Sequence, residues 1–534
     1  MSPDTARPSS SLLGFFLPSA RDLVFLLLFW ALLAGPLSNR PLADADIGWH
    51  IRNGERILVT HSIPRTDPFS STMHGQPWFA WEWLYDTALG AVNAATGLNG
   101  VVWMTALIIA ATFAILFSEL LRRRVALPLA TLLALLALGA SSIHLFARPH
   151  IASWLFTLTW FIALDRWEQR RAPGWVRWLF PASMLLWVNL HGGWLLGIAV
   201  LGVYATAALL DGWSLRDPID RIRSAHRARA MFSALGLSLA ATVANPYGLR
   251  LHAHICRYLT DRYLMSRIEE FRSPNFHGWG ERCFAAILIV VLIAFAGRRA
   301  SIRRSHLFVV VLAAFAGLYA SRNLPVASML LVLVAGPILW DSVASLAEQT
   351  SAWSLLRTLV ARASEVAARA GAQESELRAH FWPAVAVIAA LVVCLNGGRV
   401  NSRQVIDAHF DSRHLPAAAV DFLARQNIGS PVLSTDSWGG YLIYRLYPLR
   451  QVVIDDRHDL YGSQRFQDYL VLMQVEPAWN DVLKKWNIQT LLLPAGSSLA
   501  SMLRLIPDQW QPVYEDHTAV VFESRKSSPE APQP

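Results

Sequence analysis

Up to residue 397 the chain alternates long apolar runs with short polar turns, the pattern of a helical membrane bundle. A helix needs about 20 mostly apolar residues to cross a hydrocarbon core roughly 30 Å thick, and by that measure about 11 segments stand out. They are 21–38, 99–120, 126–143, 149–166, 175–190, 191–211, 229–245, 283–297, 305–321, 323–342 and 381–397. The only break between 175–190 and 191–211 is Asn189-Leu190-His191-Gly192-Gly193, polar and glycine-rich, which predicts a tight turn between antiparallel helices. Beyond 397 the rhythm changes. Residues 415–423 have a helical period, whereas 431–435, 451–455, 488–494 and 513–523 read as strands. The expected architecture is an all-α polytopic membrane bundle with a long first external loop and a small C-terminal α/β extracytoplasmic domain. The expected boundaries are an N-terminal tail 1–20, a transmembrane domain 21–397, the α/β domain 398–526 and a disordered tail 527–534.

Composition agrees: 54% hydrophobic residues against 16% charged is too apolar for a soluble chain of 534 residues. The net charge of +9 does not point to nucleic acid, because the basic residues are nearly all arginines clustered between apolar runs. Positive charge in short loops stays on the cytoplasmic side. The loops holding Arg122, Arg123 and Arg124, then Arg166, Arg170, Arg171 and Arg177, then Arg216, Arg221, Arg223, Arg227 and Arg229, then Arg298, Arg299, Arg303 and Arg304 are therefore assigned to the cytoplasm. The N-terminus joins them, as does segment 343–380, an amphipathic linker. Loops 39–98 and 246–282, the short turns at Arg148, 189–193 and Arg322, and the tail after 397 face outward, across a cytoplasmic (inner) membrane. No cleavage pattern follows the first apolar run, which reads as a retained span. Three scattered cysteines, Cys256, Cys283 and Cys394, imply neither a disulfide framework nor a zinc site.

Nearly every unusual polar cluster falls on the outward side. Asp46, Trp49, His50 and Asn53 lie at helical spacing in the first external loop, so one helix face can present a carboxylate, an indole and an imidazole together. Asp44 can serve equally as an N-cap. Trp49, Trp78, Trp81 and Trp83 read first as interfacial belt aromatics. Glu82, between two of them, is an ionisable group that needs a partner. Arg148 and Arg322 are lone arginines where the orientation rule disfavours them. Each suits a phosphate or carboxylate, or else a salt bridge to Asp46, Glu82 or Glu270. His191 reads as a base, a ligand or a hydrogen-bonded structural residue, and Glu269 and Glu270 as groups that orient an acceptor or bind metal. A divalent cation is not indicated by ligand spacing. Nucleotide-binding glycine motifs are absent.

The order of these features resembles the bacterial integral-membrane glycosyltransferases of the C superfamily, which include protein O-mannosyltransferases, aminoarabinose transferases and oligosaccharyltransferases. The resemblance rests on Asp44-Ala45-Asp46 just after the first span, on Ala147-Arg148-Pro149-His150, Asn189-Leu190-His191-Gly192-Gly193 and Asn245-Pro246-Tyr247-Gly248 in later outer turns, and on the α/β tail. The stretch from Asp44 to Leu84 is similar to uncharacterised bacterial members. The resemblance implies a polyprenyl-phosphate-linked sugar donor, a bilayer setting, and a first-loop carboxylate acting as base or orienting the acceptor, which falls on Asp46 with Asp44 as the other acid. The tail motifs Asp436-Ser437-Trp438-Gly439-Gly440-Tyr441 and Ile454-Asp455-Asp456-Arg457 also look like those members, and read by themselves as surface turns. Two rival readings remain: a transporter or flippase of a lipid-linked sugar, which needs charges near the bilayer midplane, and a non-catalytic scaffold.

Overall fold

The computed structural model describes residues 16–214, 216–298, 301–349, 354–375, 380–426 and 431–525. Most of the tail 1–20, the tail 527–534 and parts of the linker 343–380 lie outside the described residues. The helices of the first part are α1 (Ala20–Leu33), α2 (Ile47–Thr60), α3 (Trp83–Thr96), α4 (Leu98–Arg122), α5 (Leu127–Ser141), α6 (His150–Glu168), α7 (Val176–Leu190), α8 (Trp194–Ser214), α9 (Pro218–Ala241), α10 (Leu249–Thr260), α11 (Arg262–Arg267), α12 (Trp279–Gly297), α13 (Arg304–Tyr319), α14 (Leu324–Gln349), α15 (Ser354–Ser375) and α16 (Phe381–Leu395). All of the apolar segments are helical. Among the described residues five helical stretches, Leu98–Arg122, Leu127–His144, Trp194–Ser214, Trp279–Gly297 and Ser321–Ala347, are long and apolar enough to cross a membrane, and Arg304–Tyr319 and Phe381–Leu395 are shorter apolar helices. The chain is a multi-pass membrane protein. Its core is a continuous body of buried aliphatic and aromatic side chains, with Trp160, Trp187, Tyr204 and Phe284 fully enclosed.

Two expectations change on the arginine-rich face. The cluster from Arg221 to Arg229 is not a loop, because Asp217 caps the backbone N–H groups of Ile219 and Asp220 at 2.7 and 3.1 Å and Pro218 opens α9 there. The linker 343–380 contributes α15, which packs against α4 and buries Glu374, whose carboxylate accepts from Ser118 Oγ at 3.1 Å and pairs with Arg21 at 3.3 Å. The polar residues are also not confined to one face. Buried Asp165 and Glu168 on α6 and Glu119 on α4 form an ion-pair network with Arg123, Arg166 and Arg303 at the opposite end.

The last part holds two short strands, β1 (Arg399–Val400) and β2 (Arg403–Gln404), then α17 (Ala417–Arg425), β3 (Val432–Ser434), α18 (Asp436–Leu446), α19 (His458–Met473), α20 (Trp479–Lys485), β4 (Thr490–Pro494), α21 (Ser498–Arg504), β5 (Trp510–Glu515) and β6 (Ala519–Ser524). The main sheet has the order β3-β4-β6-β5, with β3 parallel to β4 and the other pairs antiparallel. The run 513–523, read as one strand, is a hairpin. Residues 451–455 form no strand of their own. Val452 instead bridges Val432 on one side and Ser70 of the long loop on the other, and Ser71 donates its N–H to Val452 O at 2.8 Å. The long loop 39–98 and the sheet domain are thereby stitched together through backbone.

The stitch closes on Arg457, 4% exposed. Its Nε and Nη2 hold Asp455 at 2.8 and 2.7 Å, its Nη1 holds Asp67 at 2.8 Å, and the guanidinium lies 4.7 Å from the Trp78 ring centre, with Phe69 and Trp49 beside it. Trp49 and Trp78 are therefore buried under this cation and are not belt aromatics. Burial alone would raise the Asp67 carboxyl, but Arg457 and the Ser70 hydroxyl and amide outweigh it and hold it below the usual carboxylate range. Removing the cation strands two buried carboxylates, so Arg457→Met is expected to lose about 3–5 kcal/mol. Arg457→Lys is expected to recover only part, because an ammonium cannot span both carboxylates in the same fork. Thermal unfolding of the detergent-purified protein measures both.

Candidate active site

Asp46 stands at the N-terminal end of α2 without capping it, since its side chain makes no bond to the helix amides. Asp44 takes that kind of role, accepting the Asp46 N–H at 3.0 Å through Oδ1, and the Asp46 carboxylate is left to meet Arg148. Helix α2 is seated on α18 by glycines. A Cβ on Gly48 would collide with the Gly440 carbonyl, one on Gly440 with the Ala45 carbonyl and Asp46, and one on Gly439 with Asp455. The Gly439-Gly440 pair, read as a surface turn, is the contact that brings the two motifs together.

Three carboxylates then converge on one guanidinium, and a fourth carboxyl, that of Asp456, stands beside two of them. Arg148 reaches Asp44 Oδ2 at 2.9 Å, Asp46 Oδ2 at 3.1 Å and Glu270 Oε1 at 3.0 Å. Asp44, Asp46 and Asp456 each offer an oxygen within 4.8 Å of the others. Asp46 is 2% exposed, and its Oδ1 and that of Asp456 find no hydrogen-bond donor among the described residues. Burial, helped by Asp44, pushes Asp46 up to about 6 against the pull of Arg148. Burial and the facing Asp46 carboxylate push Asp456 well above the carboxylate range. For Glu270 burial is outweighed by Arg148 and Arg322, which hold it low. Burial and mutual repulsion thus favour a proton on this facing pair, and Asp46, drawn by Arg148, ionises with a midpoint near 6. The residual negative charge, the orphaned oxygens and the all-oxygen donor set also fit a hard divalent cation, which Asp44, Asp46 and Asp456 can hold.

One helical turn along α2, His50 Nδ1 lies 2.6 Å from Asp86, which also accepts from Asn53 Nδ2 at 2.7 Å. Its Nε2 lies 3.9 Å from Glu82, whose other oxygen is 3.6 Å from His191 Nε2. Gly193 donates its N–H to His191 Nδ1 at 3.0 Å, so the His191 ring proton sits on Nε2, toward Glu82. Burial first, then the Asp86 charge, raises the Glu82 carboxyl well above its usual value, while burial lowers His50. The result is a buried chain of imidazoles and carboxyls, whose charged forms burial disfavours, beside the acidic cluster.

The structure brings Asp44, Asp46, Arg148 and Glu270 into one cluster and His50, Glu82 and His191 into the next. Glu269 is not part of either: its side chain is exposed, and its carbonyl accepts from Ser321 at 3.3 Å. Arg322 makes none of the expected salt bridges. Among the described residues it has no carboxylate partner, and its guanidinium lies over Phe271 at 4.5 Å. Asp456 was missed by sequence reasoning. The signal available was an acidic pair followed by an arginine directly after the apolar run 452–454, a sequence that needs internal partners if it is buried.

No protein-family profile matches the chain, and no curated protein matches it. Solved structures do. The apo oligosaccharyltransferase of Archaeoglobus fulgidus aligns over 89% of this chain and 69% of its own, at 12% identity and a TM-score of 0.52. The oligosaccharyltransferase AglB from Archaeoglobus fulgidus, in complex with an inhibitory peptide and a dolichol-phosphate, aligns over 92% of this chain and 69% of its own, at 12% identity and 0.52. ArnT from Cupriavidus metallidurans, bound to undecaprenyl phosphate, aligns over 95% and 98%, at 14% identity and a TM-score of 0.48. The chain has the GT-C fold, the fold of integral-membrane glycosyltransferases.

The acidic cluster makes a direct prediction. Manganese, followed by its electron paramagnetic resonance, is expected to bind the purified protein and to lose affinity at least about tenfold in Asp456→Asn, as the loss of one charged ligand implies. Glu269→Gln is expected to leave binding unchanged.

Proposed function

We propose that the protein is a membrane glycosyltransferase that moves a sugar from a polyprenyl-phosphate-linked donor to a cell-envelope acceptor at the outer face of the cytoplasmic membrane, with the eleven apolar helical segments as its spans. The observation that carries this reading is the Asp46 carboxylate: buried, short of a hydrogen-bond donor, raised to about 6, and held at the membrane-flanking end of a GT-C fold. In this reading the Asp46 oxygen takes the proton from the acceptor hydroxyl. That hydroxyl oxygen bonds to the anomeric carbon, the bond from that carbon to the donor phosphate oxygen breaks, and the lipid phosphate leaves with the electron pair, giving inversion. Arg322, the cation without a carboxylate partner, receives the charge that develops on the phosphate. Glu82, His50 and His191 line the sugar side, where carboxyl and imidazole groups bind hydroxyls. A divalent cation held by Asp44, Asp46 and Asp456 would add electrostatic stabilisation of the developing anion.

A lipid-phosphate donor is supported by AglB, whose complex contains dolichol-phosphate. The transporter reading gains no midplane charge. α4 carries no charged residue from Leu98 to Ser118, and α6 carries none from Ile151 to Leu164, so apolar helix separates the polar groups at the two ends.

Asp46→Asn is expected to cut transfer from a purified polyprenyl-phosphate sugar by about 10²–10⁴, the usual worth of a general base, with the donor still bound. Unchanged transfer would remove Asp46 from the mechanism. A base must be ionised, so in the wild type the rate at saturating donor is expected to fall as pH drops through about 6. Arg322→Gln is expected to weaken donor binding about tenfold or more, the loss of one charge-assisted bond to phosphate, and a reporter placed in loop 39–98 tests the orientation.

A further inference from the structure

We propose that the end of the bundle opposite Asp46 contains a second ligand site, a cavity that binds a phosphate or diphosphate group. The cavity has a volume of about 710 Å³ and lies among the arginine-bearing ends of α4 and α6, the second half of α14 and the segment leading into α13. Along α6 the 15 steps from His150 to Asp165, at 1.5 Å each, put it roughly 22 Å from the candidate active site. It is thus a separate feature, and the proposal does not depend on the reading of Asp46.

The inner wall is a preorganised frame of guanidinium groups. Asp165 is held by Arg123 at 2.8 Å, by Arg303 at 2.7 Å and by His306 at 2.8 Å. Glu119 is held by Arg123 at 3.2 Å and Arg166 at 2.7 Å. Pro337 inside α14 has no N–H to give to the carbonyl of Leu333, four residues back, and that carbonyl accepts from Arg123 Nη1 at 3.4 Å instead. Asp165 and Glu119 are therefore committed to fixing arginines, while Asp341, the third carboxylate of the wall, pairs with none among the described residues.

Cations remain over. Six arginines line the cavity against three carboxylates. Arg122 gives Nε and Nη2 to the Glu374 carbonyl at 3.0 and 2.6 Å and has no carboxylate partner among the described residues. The exposed Arg171 guanidinium has no hydrogen-bond or ion-pair partner among them, and the exposed Arg298 lies only over the Phe295 ring at 5.9 Å. Arginines confined to topology-setting loops would spread over the surface. These instead surround a concave space walled on one side by Val334, Pro337 and Ile338, where low-dielectric walls strengthen attraction for an anion. The ligand class follows from the donors: every cation is a guanidinium, whose fork matches phosphate oxygens, and Ser301 and Ser345 add hydroxyls. Two sources carry this chemistry, a phosphorylated lipid head group entering from the adjacent leaflet and a soluble phosphate compound.

The test uses the full-length protein carrying Cys256→Ser and Ser345→Cys in phosphatidylcholine nanodiscs, and follows the rate at which a maleimide labels the introduced thiol inside the cavity. Inorganic pyrophosphate is one probe, and polyprenyl phosphate added to the nanodisc lipid is the other. At least one probe is expected to slow labelling saturably. Its apparent affinity is expected to fall at least about tenfold in Arg171→Gln/Arg298→Gln, which removes two charge-assisted contacts, and to stay within twofold or so in Arg177→Gln, an exposed arginine of the same face outside the cavity. Protection by pyrophosphate assigns a soluble phosphate ligand, and protection by the lipid alone assigns a head group. The proposal is overturned if neither probe protects, if protection survives Arg171→Gln/Arg298→Gln, or if Arg177→Gln weakens it equally.

Discussion

The architecture depends on one enclosed cation. Arg457 cannot shed its proton and has no route to water, so the fold must supply its counter-charges and its donors' acceptors from within. It does so from two distant parts of the chain, Asp455 beside it and Asp67 in the long loop, and covers the guanidinium with Trp78, Phe69 and Trp49. Tyr461 adds its hydroxyl to Asp455 at 2.8 Å, and Ser70 adds its own to Asp67 at 2.6 Å. Every polar group in this clamp is answered. Once Arg457 is fixed, its neighbour Asp456 has little freedom, and the carboxylate is delivered to Asp46 across the glycine contact of α2 with α18.

The comparison between this clamp and the site next to it separates architecture from chemistry. Around Arg457 two carboxylates meet one cation and all oxygens find donors. Around Arg148 three carboxylates meet one cation with a fourth carboxyl beside them, and two of the oxygens find no donor among the described residues. The first arrangement is at rest, while the second has unmet demand for protons, cations or substrate hydroxyls. At the far end of the bundle the imbalance has the opposite sign, with guanidinium groups in excess of carboxylates. The same helices therefore present an electron-rich pole and an electron-poor pole, separated by apolar helix.

Much of this was legible in the sequence because membrane helices and helix-face spacing are local signals. The apolar segments, the turn at His191 and the alignment of Asp46 with His50 follow from composition and period alone. The convergence of Arg148 with Glu270 was within reach as one of several pairings. Asp456 and Arg457 were not, because their environment is made by residues about 390 positions away, as in the Asp67 pairing, and nothing local distinguishes a charged turn on the surface from one buried under three aromatic rings. Trp49 and Trp78 misled for the same reason: belt aromatics and buried aromatics share a composition. Glu269 and Glu270 differ only in which way a short 3-10 turn points them.

The position of Asp456 has a consequence for biogenesis. The carboxylates at the head of α2 emerge from the ribosome long before their partner, and the intervening helices must be inserted before the tail is made. A half-built chain therefore carries Asp44, Asp46 and Arg148 without the carboxyl that completes their cluster. The three-carboxyl cluster is therefore complete only once translation has ended and the last domain has docked on α2.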